Sequence, residues 1–270
     1  MRTSLVFRVS PLRFDFTTTC GRQFLRPVES SKQSLVLLPG FLCDQTVWKQ
    51  QIAGLSDLAD PHCMEWGPEH NSIVAMAEAV LQSAPERFAL AGHSMGGRVA
   101  FQVYRLAPER VTKIAVFNTG ADARPAGTAG EDEERKRRAL LEIARSQGMR
   151  PMAVEWLKGM LPKYRQEDTA LVEEIIAMFE RKSPDLFEIQ MLALLDRPNA
   201  SPLLKMILCP ALVLTGFDDA WSPPGRHLEM AQSIPHSQLV VVPKCGHMST
   251  MERPDEVTVA MREWLEYSPE

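Results

Sequence analysis

Nowhere does this chain carry an apolar run near the ~20 residues of a membrane-spanning helix, so the sequence offers no candidate span and no membrane partner is expected. It has no secretory h-region at its start. Its five cysteines (Cys20, Cys43, Cys63, Cys209 and Cys245) are scattered, and no C-x-x-C pair occurs. An odd, dispersed set in a chain this long supplies neither a disulfide framework nor a zinc site, which points to a reducing compartment, the cytoplasm, and to no bound metal. Neither sign of charge dominates: 30 Lys+Arg stand against 34 Asp+Glu, a net charge of -4, so nucleic acid and anionic membrane surfaces are not expected partners. Internal repeats and low-complexity segments are also lacking. What remains is a 270-residue chain, 45% hydrophobic, suited to one large globular domain or to a domain with an insertion.

The first thirty residues are poor in acids. Arg2, Arg8, Arg13, Arg22 and Arg26 face only Asp15 and Glu29, which has some character of a transit peptide. The preferred reading is a leading strand or hairpin, because Leu5-Val6-Phe7 and Phe14-Asp15-Phe16 cluster or alternate like β residues.

From there the chain alternates strand and helix. Ser34-Leu35-Val36-Leu37-Leu38 is a short apolar run stopped by Pro39-Gly40 and reads as a buried parallel strand. A helix is predicted from Thr46 to Leu55, a strand from Pro61 to Trp66, and a helix from Ser72, its N-cap, to Ser83. A strand over Arg87 to Ala91, a helix ending near Ala107 and a strand over Val111 to Phe117 follow. Between about Asp122 and Leu204 only helical signals occur. There Glu131-Asp132-Glu133-Glu134 precedes Arg135-Lys136-Arg137-Arg138, so each acid has a base four residues on; this reads as a solvated helix face. Ser183-Pro184 is an N-cap with proline at the first helical position. Strands then return at Ala211 to Thr215 and Gln238 to Val242, with helices after Pro224 and Pro254. Repeated βα units predict an α/β fold with a mostly parallel sheet flanked by helices. Residues 1–121 and 205–270 would form the core, and 122–204 an all-helical cap over the carboxyl ends of the strands, where open α/β sheets bind ligands.

Gly92-His93-Ser94-Met95-Gly96 lies between a predicted strand and a predicted helix. Taken alone, it could be a loop with Ser94 as a helix N-cap. In its context it has the form of a nucleophile elbow, in which a sharp strand-to-helix turn lifts a serine hydroxyl clear of the sheet. Gly92 and Gly96 leave room for that turn.

A serine hydroxyl needs a base, a group to orient the base, and donors for the oxyanion. Of six histidines, His247 follows the last strand in Lys244-Cys245-Gly246-His247 and is the candidate base. His62 and His70 precede the elbow, His93 lies inside it, and His227 and His236 sit in a helix and before a strand. The orienting acid should follow the preceding strand, in Gly216-Phe217-Asp218-Asp219. Asp219 has the favoured spacing; Asp218, as a turn residue, and Asp122, after the strand ending at Phe117, stay open as alternatives. Oxyanion donors would be the N–H of Met95 and that of Phe41, in the loop opened by Pro39-Gly40, which could otherwise simply end a strand.

Leu35-Val36-Leu37-Leu38-Pro39-Gly40-Phe41, Gly92-His93-Ser94-Met95-Gly96-Gly97, Gly216-Phe217-Asp218-Asp219 and Gly246-His247-Met248 together resemble the α/β-hydrolase superfamily in order and spacing, over about residues 34 to 267. Within it the chain is similar to small-cap esterases of the pimeloyl-carrier-protein methyl ester kind and to menaquinone-pathway lyases. One departure is Pro39-Gly40, where the family usually has His-Gly, so a histidine that often braces the loop is missing. The resemblance implies hydrolysis of a small-molecule carboxylic ester through an acyl-enzyme, without a cofactor. A serine at the elbow sets the chain apart from epoxide hydrolases and haloalkane dehalogenases. A thioesterase, a lactonase, and a C–C hydrolase or lyase would use the same residues, and a ligand-binding receptor on this fold is the remaining class. Met149, Met152, Trp156, Met160 and Phe187 in the predicted cap read first as packing and secondarily as lining for an acyl or aryl substrate of small to medium size.

Overall fold

The computed structural model describes residues 5–7 and 32–268. The apolar runs form β2 (Gln33–Leu38), β4 (Phe88–His93), β5 (Val111–Phe117) and β6 (Ala211–Gly216), each largely buried, as strands covered on both faces must be. With β3 (Ala59–Cys63) and β7 (Ser237–Val242) they make six parallel strands. The expected leading strand is present as β1 (Leu5–Phe7), antiparallel to β7 with Leu5 opposite Val241. Phe14-Asp15-Phe16 and the arginines weighed as a transit signal lie outside the described residues.

The sheet order is β1-β7-β6-β5-β4-β2-β3. After β3 the chain crosses back over β2 to lay down β4, so the loops leaving β2 and β4 turn to opposite sides. That reversal opens a crevice at the carboxyl ends of these two strands. β3 starts two residues and ends three residues earlier than predicted, because its ladder is fixed by Gln33 opposite Ala59 and Leu37 opposite Cys63. Pro61 is tolerated there since β3 is an edge strand.

On the faces of the sheet lie α1 (Lys49–Leu55), α2 (Ile73–Ser83) and α3 (Met95–Leu106), then α8 (Pro224–Ser233), α9 (Ser249–Glu252) and α10 (Pro254–Glu266). Ser72 caps α2 as predicted, its Oγ accepting from the Ala75 N–H at 3.0 Å. Between β5 and β6 come α4 (Thr128–Gln147), α5 (Met149–Met160), α6 (Thr169–Glu180) and α7 (Pro184–Leu195), with no strand among them. Asp168 and Ser183 cap the last two.

The charge run on α4 departs from expectation. Arg135 and Arg138 do reach solvent, paired with Asp132 and Glu134. Glu133 and Arg137, one turn apart, instead face the crevice, where the buried Arg197 grips both oxygens of Glu133 at 2.7 and 2.8 Å. Where the charge run leaves no apolar side to turn inward, its inner face is neutralised by ion pairs, while Leu141 and Ala144 bury the rest of the helix.

Candidate active site

Ser94 sits between β4 and α3 with φ 53° and ψ -113°, a conformation that a residue with a Cβ adopts only under constraint. The two flanking glycines show the constraint: a Cβ on Gly92 would lie 2.2 Å from the Gly96 carbonyl oxygen, and one on Gly96 2.2 Å from that of Leu38. The turn is pinned by the Ser94 N–H donating to the Phe117 carbonyl at 2.8 Å and the Thr119 hydroxyl donating to the Ser94 carbonyl at 2.7 Å.

The structure brings Ser94, His247 and Asp219 together. His247 Nε2 lies 3.0 Å from Ser94 Oγ, and its Nδ1 lies 2.9 Å from Asp219 Oδ2. Asp219 is buried and also accepts from Asn118 Nδ2 and from the backbone N–H groups of Trp221 and Ser222, each at 2.9 Å. Burial alone would raise its pKa; the adjacent His247 and these donors outweigh that and hold it at about 2. The other two acids stand apart. Asp218 is exposed and accepts from the Tyr164 hydroxyl at 2.6 Å, and Asp122 is exposed and accepts from the Ser201 hydroxyl at 2.6 Å.

Several supporting residues were not singled out from sequence. Asn118, at φ 50°, shares its amide between Asp219 and the Gly246 carbonyl, 3.1 Å away. Glu252 reaches back from α9 and accepts from the Gly246 N–H at 2.9 Å and the Met248 N–H at 3.0 Å, holding the backbone on both sides of His247. Burial pushes the Glu252 carboxyl up to about 7, against those two hydrogen bonds and Arg165. His93, set aside as a base, has its Nε2 2.8 Å from the His247 carbonyl, so that nitrogen carries the hydrogen and donates it. Burial, then the charge of His247, lowers the His93 pKa to about 3, so it stays a neutral brace. The only sequence signals for these roles were position just past a strand end for Asn118 and proximity to His247 for Glu252.

Across the crevice, the loop after β2 carries Phe41. Its N–H and that of Met95 meet no acceptor among the described residues. Met95 opens α3, whose first N–H groups lack intrahelical partners and whose dipole favours an anion. The loop that lacks the family histidine is braced otherwise: Trp66 Nε1 donates to the Pro39 carbonyl at 3.1 Å, and Gln190 Oε1 accepts from the Leu42 N–H at 2.7 Å.

Ser94 opens into a cavity of about 790 Å³ between the sheet and helices α4 to α7. Phe41 packs edge-on against Trp156 and Phe187, with centroids 5.1 and 4.9 Å away, and Trp156 stacks on Trp221 at 5.6 Å. Trp221 in turn lies 4.9 Å from the His247 ring. The lining is therefore partly aromatic, and it also carries Arg98, Arg137, Arg197 and Arg226, with the Arg137 guanidinium over the Phe41 ring at 5.8 Å. Among the described residues no three His, Cys, Asp or Glu side chains gather as a metal site.

The chain has relatives among known proteins. Residues 35–260 match the Alpha/beta hydrolase family, and the chain belongs to it. A pimeloyl-[acyl-carrier protein] methyl ester esterase of Nitrosomonas europaea is 26% identical over 234 residues, which are 82% of this chain and 91% of the relative. Among solved structures, a thermophilic esterase from Thermogutta terrifontis superposes with a TM-score of 0.75 at 29% identity, over 87% of this chain and 90% of its own. The enol-lactonase from Burkholderia xenovorans shares the fold, with a TM-score of 0.75 at 22% identity over 88% and 93% of the two chains.

Proposed function

We propose that this protein is a carboxylic-ester hydrolase in which Ser94 is the nucleophile, His247 the general base and Asp219 the group that orients it. The observation that carries this reading is the unbroken contact from Ser94 Oγ to His247 Nε2, 3.0 Å, and from His247 Nδ1 to Asp219 Oδ2, 2.9 Å. With Nδ1–H held by Asp219, Nε2 is left as the lone-pair nitrogen that faces the serine. It takes the Ser94 proton as Oγ adds to the ester carbonyl. The oxyanion forms where the Phe41 and Met95 N–H groups can donate, each such donor being worth ~2.7–4 kcal/mol in the transition state. His247 then returns the proton to the leaving alcohol, giving an acyl-enzyme, and activates a water to release the acid.

Residues 122–204 act as the cap in this reading: α4 to α7 close the cavity over Ser94 and set the size of the acyl or aryl group. The reduced cysteines Cys43, Cys63, Cys209 and Cys245, none of them in a disulfide, accord with work in the cytoplasm. The names of the relatives, two of them esterases, support an ester substrate.

The test is turnover of short-chain p-nitrophenyl esters together with labelling by a fluorophosphonate. Wild type should hydrolyse the esters and take the label on Ser94, and Ser94→Ala should lose both while keeping its circular dichroism spectrum. Hydrolysis undiminished in Ser94→Ala would overturn the assignment. Thioesters and lactones in the same panel separate the related reactions.

A further inference from the structure

Two guanidinium groups in the cavity hold no carboxylate in an ion pair among the described residues. Arg98 lies one helical turn beyond Ser94 on α3, and Arg226 comes from α8, beyond Asp219 in the chain. Both converge on Gly120, just past the end of β5. Arg226 Nη1 and Arg98 Nη2 lie 3.2 and 3.4 Å from the point that a Cβ on Gly120 would occupy. Arg98 donates to the backbone carbonyl of Asp122 at 2.7 Å, and neither arginine has a carboxylate partner among the described residues.

The acids that share the cavity are already engaged. Glu133 is held by Arg197 and Arg137, Asp132 by Arg135, and Glu155 by Lys158. Asp122 accepts from Ser201. The surroundings of Arg98 are therefore cationic: burial, then Arg197, Arg226 and Arg137 lower its pKa to about 9 against the single opposing charge of Glu133. In the open cavity water can solvate these cations. A substrate that displaces the water must replace it, because a guanidinium left dry and unpaired is costly.

We infer that Arg98 and Arg226 form a carboxylate-binding subsite, so that the preferred esters carry a carboxylate a short distance from the bond that is cleaved. The inference rests on the hydrolase reading above and names its substrate class. Planar guanidinium forks match a carboxylate in pairs of hydrogen bonds, which a neutral chain end cannot return. The spacing limits the length. Arg98 stands one turn of α3 from the nucleophile and lines the same cavity, so the carboxylate lies near the ester, as in a monoester of a short dicarboxylic acid.

The experiment compares two esters of equal size, mono-p-nitrophenyl glutarate and p-nitrophenyl 5-oxohexanoate, whose chain ends are a carboxylate and a methyl ketone. Wild type should favour the anionic ester at least tenfold in kcat/KM. The anionic-to-neutral ratio should fall at least tenfold in Arg226→Gln and be partly restored in Arg226→Lys. In wild type, glutarate should also inhibit more strongly than 5-oxohexanamide, a measurement that needs no variant. A ratio near one in wild type, or a ratio unmoved by Arg226→Gln, overturns the subsite and leaves the hydrolase reading standing. Failure to turn over either ester, with no fluorophosphonate on Ser94, overturns that reading and the subsite with it.

Discussion

Asp218 and Asp219 are chain neighbours with opposite surroundings. One carboxylate is exposed against Tyr164; the other is buried and carries four hydrogen-bond partners, His247 among them. Asp219→Asn should lower kcat by about 10⁴-fold, since an amide fixes the wrong imidazole tautomer. Asp218→Asn should stay within about threefold, as expected for an exposed polar contact. Steady-state kinetics on one ester decides it, and a larger loss in Asp218→Asn would reverse the assignment. Glu252 adds a pH dependence. Its folded pKa of about 7 lies above the ordinary 4.5, so between those values the folded state binds more protons than the unfolded one. Stability from this group is full below pH ~4.5 and falls as pH rises to ~7, by on the order of 3 kcal/mol. Glu252→Gln cannot ionise. Its thermal midpoint should therefore fall less than that of wild type between pH 4.5 and 7.5; parallel curves would show that Glu252 does not titrate in that window. Asn118 and Glu252 were not legible in the sequence, because their partners lie 101 residues away or are backbone groups that only the folded loop presents.

The elements were more legible than their faces. Apolar runs ended by glycine or proline located most strands, and Ser72 and Ser183 located two helix starts, because strand burial and capping are local physics. The inner face of α4 was not legible. An i,i+4 charge pattern is the same whether its partner is water or Arg197, and only the packing of α4 against the rest of its segment decides. The end of β3 likewise depended on its register with β2. The elbow, by contrast, was readable because its glycines answer to sterics within five residues. Gly96→Ala sets a methyl group against the Leu38 carbonyl and should destabilise by about 3 kcal/mol or more. Gly225→Ala, where nothing lies within 4 Å, should be neutral or slightly stabilising. Urea unfolding of both variants tests the pair, and equal effects would refute the steric account of the elbow.

At the scale of the molecule, α4 to α7 are bound into the site rather than laid over it. The Met160 carbonyl accepts from the His247 N–H at 3.1 Å, Gln190 accepts from Leu42, Arg181 donates to Asp44 at 2.8 Å, and Arg165 donates to the Glu252 carbonyl at 2.9 Å. Trp156 is the point where this segment meets both the Phe41 loop and Trp221. Trp156→Ala should widen the cavity and raise kcat/KM for octanoyl relative to butyryl p-nitrophenyl esters several-fold, as pocket contacts of one or two methylenes commonly do. An unchanged chain-length profile would show that Trp156 does not bound the acyl site. The sheet order has a consequence in time. Strands β2, β4 and β5, with Phe41, Ser94 and Asn118, leave the ribosome first, and α4 to α7 follow. Asp219 and His247 arrive last, on loops that exist only once β6 and β7 have docked beside β5. Domains tend to build from the amino end during synthesis. A nascent chain would thus carry Ser94 with no His247 beside it, and on the proposed reading would become able to cleave esters only when its final strands are in place.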